Sequence, residues 1–147
     1  MKMEWFIEVF ERDLQQLKAE LEMYEDESKL WIIDKDINNS AGNLALHLIG
    51  NLKHFIGAVM GETDYKRDRP AEFADKDIPR SELVQGIDET IELINTVFTD
   101  LDPEELNKTF PMDVLRPNMD TGFFMIHLAA HLNYHLGQVN YHRRLLG

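Results

Sequence analysis

The stretch HLAAHLNYHLGQVNYH, residues 127–142, carries four of the six histidines of a 147-residue chain. Imidazole does two kinds of chemistry near neutral pH: it moves protons, and as a neutral ring it binds divalent metals through either nitrogen. On a helix, His131 and His135 are about 40° apart in azimuth and one turn apart in height, so both rings can reach one ion. His127 and His142 flank that stripe, and Gln138 lies between His135 and His142. A polar stripe where a core-facing helix should be apolar must hydrogen-bond or bind something, because each unsatisfied buried group costs about 1–3 kcal/mol. His47, Asn51 and His54, spaced by four and three, share a face of a second segment. That segment offers a third ligand.

The patterns that would point to other sites are missing. There is no H-E-x-x-H, and no Asp or Glu stands three residues before any histidine, so neither the zinc-peptidase helix nor the Glu-x-x-His of di-iron bundles is present. The chain has no cysteine, which removes disulfides, thiolate zinc sites and cysteine nucleophiles together. Bis-histidine haem is physically compatible with a helical bundle, but nothing in the sequence calls for a large planar ligand. A histidine-only site for a small divalent ion is favoured. Imidazole suits zinc, nickel, iron and cobalt alike, so the ion's identity is not legible.

The elements that must carry these residues read as helices. MEWFIEVFERDLQQLKAELEMYE has Trp5, Val9, Leu14, Leu17 and Leu21 at helical spacing and predicts a helix over residues 4–25. Asn39 and Ser40 are cap-type residues before a second helix, with Leu44, Leu48, Leu52, Phe55 and Val59 on one face and Gly61 as its stop. ETDYKRDRPAEFADKDIP is polar and aperiodic and predicts a long loop. A third helix follows Ser81, with Leu83, Ile87, Ile91, Ile94 and Phe98 on its apolar face. Pro103 opens a short turn, and the last helix runs from about Thr121 to Leu146 with Arg143 and Arg144 in its final turn. The expected fold is all-α, a four-helix up-and-down bundle in a single domain over 1–147, with the long loop between its second and third helices.

Composition narrows the partners. With 27 acidic against 15 basic residues the net charge is −12, which repels phosphate backbones, so nucleic acid is not an expected partner. Glu4, Glu8 and Glu11 interrupt any apolar leader at the N-terminus, and no stretch approaches the ~18 apolar residues of a membrane span. A cytoplasmic protein with no membrane partner is expected. Arg67, Arg69 and Arg116 are the arginines of the irregular segments and could fork onto a substrate carboxylate. The competing reading, favoured for exposed charges, is a solvated loop in which Asp68 and Glu72 pair with them locally.

LALHLIGN in the second helix and HLNYHLGQVNYHRRLL in the last resemble the DinB/YfiT-like superfamily of four-helix proteins. Its pattern is one histidine on the second helix and a His-x-x-x-His pair on the last, followed closely by Gly-Gln. The resemblance implies metal ligands at His47, His131 and His135, with the Gly-Gln at Gly137 and Gln138, and leaves His54, His127 and His142 outside the ligand set. Leu136 stands where some members have an arginine. The resemblance also implies a divalent ion with water completing its shell, homodimerisation, and a small-molecule substrate for those members that are thiol-dependent transferases or isomerases. His47 and His54 lie about 10 Å apart by helical rise, too far for both to join a compact site, and His47 is preferred because the resemblance places the ligand there and because it begins the run HLIGN, in which Gly50 allows a close helix approach.

Three neutral nitrogens leave an ion its full charge and open positions, the arrangement of a catalytic site. A metal-dependent enzyme of the thiol transferase or hydrolase type is expected, the former using a low-molecular-weight thiol that the cysteine-free chain cannot itself supply. A non-catalytic metal-binding or sensing protein is the alternative, and a bundle whose histidines merely satisfy one another is the third reading. No general base is evident, and no catalytic residue is assigned.

Overall fold

A computed structural model describes residues 1–147. The chain is all-helical, with five α-helices: α1 (Met3–Glu22), α2 (Ala41–Leu52), α3 (Arg69–Ala74), α4 (Arg80–Asp100) and α5 (Thr121–Leu146). α2 continues without a break as a π-helical stretch, Lys53–Met60, whose wider turn brings Phe55, Ile56 and Gly57 inside together. Short 3₁₀ turns occupy Glu27–Trp31 and Pro103–Asn107. No helix is long and apolar enough to cross a membrane.

Most boundaries follow from local chemistry. Ser40 caps α2 by accepting from the Asn43 amide at 3.2 Å, and Asp102 with Pro103 opens the second 3₁₀ turn. Gly61 ends the helix, as the sequence suggests, with right-handed backbone, and the positive φ falls one residue later on Glu62 at 55°. A glycine suits position 61 for another reason, because a Cβ there would sit 2.6 Å from Val97 Cγ2 on α4. On α1 the inward residues are Met3, Phe6, Phe10, Leu14, Leu17 and Leu21, while Trp5, expected on that face, is 55% exposed. The phenylalanine spacing wins because two aromatics, Phe6 and Phe10, pack together on Phe98 of α4.

The four long helices pack in a closed ring, α1 on α4, α4 on α2, α2 on α5 and α5 on α1, around one cluster of 31 buried apolar residues. Their directions correct the expected up-and-down order. Along α2 and α4, Ile49 meets Gly86, Lys53 meets Glu89, Gly57 meets Leu93 and Gly61 meets Val97, so the two run parallel. Asp13 meets Asn133 and Glu20 meets Asn140, so α1 and α5 are parallel as well. Phe6 on Phe98 with Lys18 on Asp88 makes α1 and α4 antiparallel, and His47 on His131 with Phe55 on Phe124 makes α2 and α5 antiparallel. The order is up, down, down, up.

A parallel neighbour needs a connection that returns along the helix, which explains the length of the segment after Gly61. That crossover is not the structureless loop expected from its composition. Asp68 accepts from the Ala71 amide at 3.2 Å and Pro70 sits in the first turn, so residues Arg69–Ala74 become α3. α3 lies against α2. Asn43 of α2 ties it down by donating to the carbonyls of Glu72 and Asp75, each at 2.9 Å.

Candidate metal centre

α2 and α5 cross where each carries its histidines. The ligand-type nitrogens of His47, His131 and His135 all lie within 4.8 Å of one another, against about 3.0–3.4 Å for nitrogens sharing a small ion at ordinary bond lengths. His47 Nε2 and His131 Nε2 are 3.1 Å apart, already at that spacing. His135, half-buried, stands edge-on to both, its ring centroid 5.4 Å from that of His47 and 4.6 Å from that of His131.

Hydrogen bonds on the far nitrogens fix two of the rings. The Glu72 carboxylate can only accept, so His47 Nδ1, 3.0 Å away, is the donor, and in the neutral ring that leaves the lone pair on Nε2. His135 Nδ1 lies 2.6 Å from Gln138 Oε1 and donates to it, leaving its own Nε2 as a lone pair. His131 is held neutral, its pKa pushed down to about 3 by burial and by the neighbouring His135, His47 and His127. His131 Nδ1 is buried with no partner.

This donor set suits a cation. A neutral His131 has a single N–H, so with Nε2 against the His47 lone pair and Nδ1 unpaired, one buried nitrogen is unsatisfied in either tautomer. Lone pairs outnumber protons at the meeting point. Of the expected site residues, His47, His131 and His135 are brought together, and Gln138 supports one of them.

The extra histidines separate by role. His142 is buried and fully paired, taking the Tyr24 hydroxyl on Nδ1 at 2.6 Å and donating from Nε2 to the Ile32 carbonyl at 2.9 Å. It is a structural residue. His127 stacks between Phe124 and His131, and His54 packs on Phe55 with its protonation disfavoured by burial and by Arg67. Asn51, one turn from His47 on the α5-facing side, buries its Oδ1 without a partner.

The arginines divide in the same way. Arg67 is largely withdrawn from solvent, its side chain 11% exposed, and its fork is occupied by Glu72, with Nε to Oε2 at 2.8 Å and Nη2 to Oε1 at 2.9 Å. Arg69 is exposed and lies over the Phe73 ring, which itself packs on His47. Arg116 lies over Phe123, about 12 Å by helical rise from His131. Glu72, expected from the sequence as a surface partner for the arginines of its loop, is the acidic residue of the centre. Burial raises its pKa, and the bonds from His47 and Arg67 outweigh burial and hold it below the usual carboxylate range. The Asp68 cap with Pro70 at the start of α3 was the one local signal that this segment is ordered.

A family model described as a protein of unknown function (DUF1572) matches residues 3–147. No curated protein matches the chain.

Proposed function

The chain belongs to the DUF1572 family, and from that premise we propose that it binds one divalent metal ion on His47, His131 and His135 and acts as a metal-dependent enzyme on small molecules, of the thiol transferase or hydrolase type. The observation that carries this reading is the convergence of three imidazoles from α2 and α5, two of them with Nδ1 already committed to oxygen acceptors. The ring of four long helices and the His-x-x-x-His pair support placing the family within the DinB/YfiT-like superfamily, as a one-domain four-helix bundle. Homodimerisation, a small-molecule substrate and a cytoplasmic location belong to the same reading.

An ion bound to three neutral nitrogens supplies a Lewis acid with open positions, which favours the deprotonated form of a water or thiol beside it. The residues do the rest. His47 is held by Glu72 and His135 by Gln138, so both present Nε2 without rearrangement. Arg67 balances the Glu72 charge, and so the carboxylate adds no net charge to the site. Arg69 remains as a cation without an ion-pair partner near the cluster, placed to attract an anionic group of a substrate.

The test is turnover by metal-loaded protein with a small electrophile and a low-molecular-weight thiol, set beside hydrolysis of activated esters. Thiol consumption that vanishes in His131→Ala supports the transferase. Ester hydrolysis with the same dependence supports the hydrolase, and metal binding with neither activity leaves a binding or sensing protein.

A further inference from the structure

Glu72 is only 6% exposed, and both of its carboxylate oxygens are used. Oε1 accepts from His47 Nδ1 at 3.0 Å and from Arg67 Nη2 at 2.9 Å, and Oε2 accepts from Arg67 Nε at 2.8 Å. The backbone of the same residue is fixed by the Asn43 amide on its carbonyl. α2 makes room for it at one place: a Cβ on Gly50 would lie 1.9 Å from Glu72 Oε2 and 2.6 Å from its Cδ. The sequence suggests that Gly50 admits a neighbouring helix. What it admits is this carboxylate.

A buried carboxylate needs a strong reason for its position, since taking it out of water is costly unless it is paired and hydrogen-bonded. Arg67 neutralises the charge, yet an arginine–glutamate pair that merely pinned the crossover to α2 would gain nothing from also meeting an imidazole at the centre of a histidine cluster. The contact with His47 has a specific effect: an acceptor on Nδ1 fixes the ring's tautomer and its plane, and so fixes where Nε2 points. His47 is also the only member of the trio on α2, so its direction alone relates that helix to the pair on α5.

We propose that Glu72, held by Arg67 and seated in the notch left by Gly50, is a positioning residue that keeps His47 in its Nδ1–H form with Nε2 aimed at His131 and His135. The crossover that makes α2 and α4 parallel is thereby part of the site. The proposal rests on the reading of the cluster as a metal centre for its effect on affinity, but its effect on the His47 tautomer stands without any ion.

Two measurements on the full-length protein test it. The first is the nitrogen-15 spectrum of the histidine rings in metal-free protein, in which His47 should be the Nδ1–H tautomer. In the double variant Arg67→Met with Glu72→Leu, which removes both buried charges together and leaves neither unpaired, the tautomer should become mixed or reverse. Glu72→Gln, which keeps an oxygen acceptor, should retain it. The second is cobalt(II) affinity by competition with a chromophoric chelator. The double variant should bind about 10–100-fold more weakly than wild type, and Gly50→Ala, which removes no polar group but pushes the carboxylate out of its notch, should lose affinity in the same direction. An unchanged His47 tautomer in the double variant, or cobalt affinities of the double variant and Gly50→Ala both within a factor of about two of wild type, would overturn the proposal. If wild type itself takes up no cobalt, the metal reading fails, and the nitrogen-15 result decides the role of Glu72 by itself.

Discussion

His47 and His131 stand 84 residues apart in the chain and meet with their Nε2 atoms 3.1 Å apart. Neither can satisfy the other fully, because the His47 proton is already given to Glu72 and the second nitrogen of His131 is buried without a partner. A pair of core histidines kept only for packing would be expected to pair as His142 does, with both nitrogens bonded. The contrast between His131 and His142 on the same helix, α5, separates the residues of the site from those of the scaffold.

His142→Ala should leave metal content unchanged and destabilise the fold by about 1–3 kcal/mol, because it strands the Tyr24 hydroxyl and the Ile32 carbonyl and opens a cavity. Urea denaturation of metal-free protein reads the loss. Loss of metal at full stability would assign His142 to the site instead.

Glu20 is a buried carboxylate on α1 that accepts from Arg143, Asn140 and Gln16. Burial pushes its pKa up, but the Arg143 and Asn140 bonds win and hold it below the usual carboxylate range. A group whose pKa is lower folded than unfolded stabilises fully above its unfolded value, and that contribution is lost as pH falls through the folded one. Glu20→Gln should therefore cost about 1–3 kcal/mol at neutral pH, and its deficit against wild type should shrink as the pH falls through the acid range. A deficit that does not change with pH would mean that the ion pair is not the source of the stability.

Two glycines should respond in opposite directions. Nothing lies within 4 Å of where a Gly137 Cβ would be, so Gly137→Ala on the exposed face of α5 should raise stability by about 0.5–1 kcal/mol through helix propensity alone. Gly61→Ala must displace Val97 and should cost about 1–3 kcal/mol. Thermal melts of the two metal-free variants decide both.

How much of this was legible in the sequence depends on the range of each interaction. The His131–His135 pair was readable because helical period turns a spacing of four into a shared face, and the Ser40 cap and the turn opened by Pro103 were readable because each acts on its own next turn. The direction of α4 was not. The apolar stripe Leu83, Ile87, Ile91, Ile94 and Phe98 reads the same whichever way the helix runs, so parallel packing on α2 leaves no local mark. Glu72 was missed for a related reason: its partner His47 is 25 residues away, and only the crossover demanded by the parallel pair carries it there. The role of Gly50 depends on Glu72 and was hidden with it.

If the centre takes a thiol as well as an ion, adding a low-molecular-weight thiol to cobalt-loaded protein should produce a sulfur-to-metal charge-transfer band and release a proton near neutral pH, since thiolate is the form that binds. The band should be absent in His135→Ala. A cobalt spectrum indifferent to millimolar thiol would favour the water-activating alternative.

The most direct measurement is elemental analysis of protein purified without a histidine tag, wild type beside His131→Ala and His142→Ala. The three-histidine site predicts about one divalent ion per chain in wild type and in His142→Ala, and almost none in His131→Ala, because two remaining imidazoles hold an ion too weakly to survive purification. Stoichiometric metal in His131→Ala would contradict the site, and a wild-type chain free of metal even after reconstitution with zinc, nickel or iron would contradict the function drawn from it.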